Sequence, residues 1–322
     1  MKYLLLNLLF GAIVVVNTFS LPIVDRHLDN ADCKNGVTHR LWDEAWSIRG
    51  QRVTPPEFIV LHYTVCPNVR STYDAYNANG VSAHFTLEND GTTYLTVDPR
   101  RYIAYHAGVS AFAGCRSLNY HSIGIENVNP GFVYEYEEIP GFRRPVQIPG
   151  DSRYWYPFSL EQFKANCLLT ASLQRDYFIH GWSVVTHADI AIDRKSDVGP
   201  LWDYRRAHRE YNAGFWYDES HQIPPRLPDN LTDEDYIEII RTFGYTSDNR
   251  EALIRAYQMH YVLTNISGTL TECTKVAILR HVIGLHGLVS PITGEKFEYF
   301  ESKFQQWNDK NPAKAAAFFE YF

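Results

Sequence analysis

"EFIVLHYT", Glu57–Thr64, is the stretch on which the fold turns: four bulky apolar residues, Phe58 to Leu61, run without a break and meet His62. A run this short, with β-branched and aromatic members, reads as a strand buried on both faces. Strands of that kind sit inside sheets that helices cover on both sides. The imidazole at its end marks an edge where such a sheet meets something polar. Downstream, "SAHFTLENDGTTYLTVD" (Ser82–Asp98) holds two strand-like runs around Asp90-Gly91, a hairpin signal. "SIGIENVN" (Ser122–Asn129) alternates, with Ile123 and Ile125 on one face and Gly124 and Glu126 on the other. Ser159 and Gln162 form a capping pair that opens a helix to about Tyr177. "SVVT" (Ser183–Thr186) is a short strand that runs directly into His187. Strands, a hairpin and helices in this order predict an α/β unit, a mixed β-sheet flanked by helices.

Composition sets outer bounds. The chain of 322 residues is 45% hydrophobic and 21% charged, a globular balance. Its net charge of −7 and lack of a basic tract argue against a nucleic-acid partner, which clustered Lys and Arg would serve. Residues 1–20 carry Lys2, an apolar run from Tyr3 to Val16, then Thr18 and Ser20. That is the pattern of a secretory signal peptide cleaved near Ser20–Leu21, and the run is short of the roughly 20 residues a membrane-spanning helix needs. A periplasmic or secreted protein with no stable membrane insertion is expected; an uncleaved anchor is the alternative. Export permits disulfides among Cys33, Cys66, Cys115, Cys167 and Cys273, with one cysteine left over. No CxxC pair occurs, so a thiolate-rich metal site is not expected.

The expected organisation is a signal peptide over 1–20, an α/β domain over 21–217, a proline-rich linker over 218–230, a small all-α helical bundle over 231–287 and a helical, aromatic tail over 288–322. Three caps mark the bundle: Thr232 with Asp235, closing at Gly244; Asp248 with Glu251; and Thr269 with Glu272, closing at Gly284. Between Asn129 and Phe158 lies a long insertion rich in Pro, Gly and aromatics, read as a wall or lid of a groove, or else as surface decoration.

"THADIAIDRKSDVGP" (Thr186–Pro200) holds His187, Lys195 and Asp197 in one turn-rich segment. With His62 from the first strand, two imidazoles and a carboxylate make the three-protein-ligand set of a catalytic zinc, whose fourth position stays open. Histidines satisfied at strand ends, beside a solvated loop, are the competing reading of the spacing.

The segments "VLHYT", "VSAHFTLENDGTTYLTVD", "YHAGVSAFAGCRSLNYHSIGIENVN" and "VVTHADIAIDRKSDVGPLWDY" occur in one order over Phe58–Tyr204. In that order they resemble the zinc-dependent N-acetylmuramoyl-L-alanine amidases of the amidase type 2 family. The resemblance implies a Zn2+ held by His62, His187 and Asp197, with Glu126 activating water and Lys195 stabilising the developing oxyanion. It implies cleavage of the amide between the lactyl group of N-acetylmuramic acid and L-alanine of the peptidoglycan stem peptide. His106 is placed beside the substrate groove, with a structural role as the alternative, and Asn127 and Arg194 are candidates to face the peptide. A Cys66–Cys115 disulfide is compatible with their positions near these motifs. His84, in mid-strand, is expected to be structural. The C-terminal helices are similar to peptidoglycan-binding helical domains, Ala256-Tyr257-Gln258 and Gly268-Thr269-Leu270 holding the recurrent positions; a structural brace is the other reading. The expected partner is peptidoglycan or a muropeptide, and the expected oligomeric state is a monomer. A non-catalytic muropeptide-binding protein on the same fold is the alternative of a different class.

Overall fold

The computed structural model describes residues 23–25, 52–219 and 227–319. The expected signal peptide, Cys33 and residues 220–226 of the linker lie outside the described residues.

A six-stranded mixed sheet forms the centre. Its strands are β1 (Ile23–Asp25), β2 (Phe58–Tyr63), β3 (Phe85–Leu87), β4 (Thr93–Leu95), β7 (Ser122–Asn127) and β11 (Val184–Thr186), in the order β1-β4-β3-β7-β2-β11. From β3 through β7 and β2 to β11 the strands run parallel, while β3 and β4 form the antiparallel hairpin expected around Asp90-Gly91. Every residue of β2 is buried, as its unbroken apolar run requires. Helix α1 (Val69–Asn79) covers one face of the sheet: Tyr76 contacts Thr86 of β3 through their hydroxyls, 3.2 Å apart. Helix α2 (Leu160–Tyr177) covers the other, Gln162 donating from Nε2 to the carbonyls of Leu87 and Val128 at 3.0 Å each. Its cap is the expected one, with Ser159 Oγ accepting from Gln162 N.

The insertion is ordered by a small antiparallel sheet, β8 (Phe132–Val133), β9 (Val146–Gln147) and β10 (Tyr154–Trp155), in the order β8-β10-β9. The rings of Phe132 and Trp155 pack together at 5.0 Å, and Arg153 lies over both, 4.7 and 4.4 Å from their centroids, paired with Asp151 at 2.8 Å. A two-stranded ribbon, β5 (Ala111–Phe112) and β6 (Cys115–Arg116), precedes β7. After β11 come the single turn α3 (His187–Ile190) and α4 (Tyr204–Tyr211).

The C-terminal part consists of α5 (Asp233–Thr242), α6 (Arg250–Tyr261), α7 (Glu272–Leu285), α8 (Glu298–Lys310) and α9 (Pro312–Phe319). The Thr232–Asp235 capping box is present. Two other caps shift. Asn249, rather than Asp248, accepts from Ala252 N, and Thr271, rather than Thr269, accepts from Thr274 N. Gly284 lies inside α7 instead of ending it, because a Cβ there would come 3.1 Å from Phe215 and 3.4 Å from Tyr217. The helix needs glycine for close approach, which in sequence looks the same as a stop. Gln258, one of the recurrent positions, is buried and knots α6 to the 268–274 loop, donating to Thr269 O and Thr274 Oγ1 and accepting from Gly268 N. Phe243 stacks on His281 at 4.0 Å and Phe300 of α8 packs on Phe243, so the tail joins the helices before it. One apolar core runs without a break from the sheet through Phe215, Trp216 and Tyr217 into these helices. Cys66, Cys115, Cys167 and Cys273 are free thiols; the disulfide considered between Cys66 and Cys115 is not formed. No helix among the described residues is long and apolar enough to cross a membrane.

Candidate metal centre

Parallel pairing of β11, β2 and β7 brings their carboxyl-terminal ends to one edge, where open α/β sheets present their ligand sites. Thr186 pairs with Leu61, so His187 and His62 emerge side by side, and His62 pairs with Glu126. Paired residues of adjacent strands share a face, which sets Glu126 on the side of His62. Asp197 is brought in by the loop after α3, whose Ala188 N–H donates to the Asp197 carbonyl at 2.8 Å.

Three atoms converge. His62 Nδ1, His187 Nδ1 and Asp197 Oδ2 lie 3.0 Å from one another on all three sides. Among the described residues these form the one group of three or more His, Cys, Asp or Glu side chains close enough to share an ion, and all three are buried.

Hydrogen bonds behind the rings determine what these atoms are. His187 Nε2 lies 3.1 Å from the Ala107 carbonyl, which only accepts, so Nε2 carries the proton and Nδ1 is bare. Ser122 donates its hydroxyl to Leu118 O at 2.5 Å and therefore accepts from His106 Nε2 at 3.2 Å. His106 Nδ1 is then an acceptor and receives a hydrogen bond from the His62 Nε2–H at 2.9 Å. That leaves His62 Nδ1 bare as well. Two bare nitrogens and a carboxylate oxygen thus face each other with no proton between them, an arrangement that a cation resolves. Tetrahedral zinc with bonds of about 2.0–2.2 Å holds its ligand atoms roughly 3.3 Å apart, close to the spacing found. The donor set fits zinc. Burial and the neighbouring His187 hold the His62 imidazole down to about 4, in the neutral form that ligates. Burial raises the Asp197 carboxyl, but any proton on the two imidazoles outweighs it and holds that group well below the usual carboxylate range, so Asp197 faces the site as the anion.

Glu126 sits at the floor of the same face. Its Oε2 is buried and makes no hydrogen bond, and burial together with the charge of Asp197 pushes its carboxyl well above the ordinary value, Lys195 opposing the shift. Lys195 is exposed at the rim, and its charge reaches both His62 and Glu126. A cleft of about 400 Å³ lies beside Lys195, with none of His62, Glu126, His187 or Asp197 in its walls. Arg194, Lys195 and Ser196 line one side, Phe132 and Arg153 of the insertion another, and Arg255 and Met259 of α6 a third.

The three residues expected at the substrate are placed differently from one another. Arg194 is exposed at the cleft and donates to the carbonyls of Ala107 and Val109. His106 is buried behind His62 with both ring nitrogens engaged, so the structural alternative describes its position. Asn127 has no access to a groove. It is fully buried on the opposite sheet face, donating to His62 O at 2.8 Å and accepting from Asn166 of α2 at 3.0 Å. Strand alternation requires this: a residue next to Glu126 points the other way. The sequence reading passed over Ser122 and Gly124. A Cβ on Gly124 would stand 2.5 Å from the His106 ring, so the glycine is the space that His106 occupies. A glycine within a strand is the signal that marks such close approach.

Comparison with known proteins bears on this fold and donor set. Residues 52–200 match the family model described as N-acetylmuramoyl-L-alanine amidase, amidase type 2. The chain is similar to the N-acetylmuramoyl-L-alanine amidase AmiD of Escherichia coli, 29% identical over 226 residues that span 65% of this chain and 76% of AmiD. It is also similar to the 1,6-anhydro-N-acetylmuramyl-L-alanine amidase AmpD of Escherichia coli, 31% identical over 128 residues, 39% of this chain and 56% of AmpD. Among solved structures, AmiD in complex with the substrate anhydro-N-acetylmuramic acid-L-Ala-D-gamma-Glu-L-Lys superposes with a TM-score of 0.60 at 26% identity, covering 72% of this chain and 91% of that one. AmpDh3 of Pseudomonas aeruginosa in complex with anhydromuramic pentapeptide gives 0.58 at 27% identity, covering 72% and 91%.

Proposed function

We propose that this chain is a zinc-dependent N-acetylmuramoyl-L-alanine amidase that hydrolyses the amide between the lactyl group of N-acetylmuramic acid and L-alanine, releasing stem peptide from glycan during cell-wall turnover, recycling or remodelling. The observation that carries the reading is the triangle of bare donors on His62, His187 and Asp197, with the unbonded Oε2 of Glu126 on the same face. Zinc at such a site lowers the pKa of water toward 7 and polarises a carbonyl. Glu126 Oε2 holds the proton taken from the attacking water and returns it to the leaving amine nitrogen. Lys195, exposed at the mouth, opposes negative charge on the former carbonyl oxygen. The amino-terminal pattern of Lys2 and an apolar run to Val16 supports a periplasmic or secreted location.

Anhydro-muropeptides bound to the relatives direct the choice of first substrate. Purified peptidoglycan and an anhydro-N-acetylmuramyl tetrapeptide are each incubated with the protein, with chelator, and with chelator followed by zinc, and the products are read by mass spectrometry. Free peptides beginning with L-alanine, lost on chelation and restored by zinc, are expected. Binding of the muropeptide without release of peptide would instead identify a recognition protein and overturn the assignment.

A further inference from the structure

We infer that the C-terminal helices set the geometry of the metal site through Asp189, with Tyr245 and His260 as positioning residues. The inference rests on the zinc reading above. The turn α3 begins with the ligand His187, and its fold is closed by a capping box in which Thr186 Oγ1 accepts from Asp189 N while Asp189 Oδ2 accepts from Thr186 N at 2.8 Å. The same turn holds the second ligand, because Ala188 N donates to Asp197 O. Two of the three donors therefore hang on one short helix of four residues, which has almost no stability of its own.

What fixes that helix comes from elsewhere in the chain. Asp189 is fully buried, and besides its own capping contact it receives two hydrogen bonds, both from the C-terminal part. Tyr245, after α5, donates its hydroxyl to Oδ1 at 2.8 Å, and His260, on α6, donates from Nδ1 to Oδ2 at 2.8 Å. His260 is itself stacked on Tyr261, at 4.0 Å, and packed against the tilted ring of Tyr204, at 4.1 Å. A buried carboxyl left without such donors swings toward other partners or admits water, and the cap it makes on α3 goes with it. The C-terminal helices are on this account part of the metal site, whatever else they bind.

The test uses the full chain and reads zinc Kd by competition with a chromophoric chelator, beside the melting temperature of the zinc-free protein. Tyr245→Phe removes one hydroxyl, and Asp189→Asn keeps the shape while altering the acceptor. Each is expected to weaken zinc binding about tenfold, the lower end for groups that orient a ligand from behind. Thr293→Val is the control: it deletes a 3.3 Å contact to His180 Nδ1 between the same two parts of the chain, sharing no residue with the Asp189 contacts, and should leave zinc Kd unchanged. Should Tyr245→Phe and Asp189→Asn bind zinc within twofold of wild type, or Thr293→Val weaken it equally, the contact is only packing and the inference fails. A wild-type chain that binds no zinc would instead refute the metal reading on which it rests.

Discussion

Gly124→Ala would test the chain of hydrogen bonds behind His62 with one methyl group. An ideal Cβ at this position lies 2.5, 2.6 and 2.7 Å from Cγ, Cδ2 and Nδ1 of His106. Non-bonded carbons rest at about 3.5–4.0 Å, so the ring must retreat by roughly 1 Å. Its Nδ1 now accepts from His62 Nε2 at 2.9 Å, and a retreat of that size, taken along the contact, carries it to roughly 3.9 Å, beyond hydrogen-bonding range. His62 then has a buried N–H without an acceptor, at a cost of about 1–3 kcal/mol, and can move its proton to Nδ1, the atom that ligates. Zinc binding should fall about 10–100-fold, as when outer hydrogen bonds to ligating histidines are removed. Overpacking should lower stability by a further 1–3 kcal/mol or about that. Chelator competition gives the first quantity and urea unfolding of the zinc-free protein the second. In a His106→Ala background the clash is gone, so Gly124→Ala should add almost nothing to the loss of zinc affinity. Zinc affinity within twofold of wild type in the single variant would refute the role given to His106 and Ser122.

Two further outcomes follow from the same geometry. Glu126→Gln should keep wild-type zinc affinity while turnover falls about 10²–10⁴-fold, the range for a general base; near-normal turnover would remove its assignment. Stability should decline in acid through His84, which is fully buried, accepts from Gly124 N at 2.9 Å and lies 3.2 Å from the Arg52 guanidinium, with the charge of Asp98 opposing. Burial first, then Arg52, pulls its pKa from 6.5 to about 3, so the unfolded chain takes up a proton that the folded one refuses. The stabilisation is complete above 6.5 and is lost progressively as pH falls from there toward 3, amounting to about 2 kcal/mol at pH 5. In His84→Asn this part of the acid slope should vanish from urea titrations at pH 7 and 5; an unchanged slope would exclude His84 as its source.

Much of this protein is legible without coordinates. The apolar run of β2, the hairpin at Asp90-Gly91, the alternation in β7 and the Ser159 cap are local patterns, and each appears where the sequence placed it. Local energetics select them: side-chain period, cap chemistry and turn residues are decided within a few positions. The same locality explains the failures. Gly284 as a stop and Gly124 as a bare strand glycine have no local meaning; each serves a side chain, Phe215 or His106, that folding brings from far away. Asn127 was a candidate for the groove although alternation alone turns it away from Glu126.

Sequence by itself determined which residue types carry the chemistry, two imidazoles and a carboxylate at the ends of apolar segments. Tertiary structure alone decided that His62 Nδ1, His187 Nδ1 and Asp197 Oδ2 meet at 3.0 Å, and which ring nitrogen of each histidine is bare. The physical reason is that a proton's place on an imidazole depends on the partner of the other nitrogen. For His62 that partner is a histidine anchored through Ser122, and for His187 it is the carbonyl of Ala107, both distant along the chain and adjacent only once the sheet has formed.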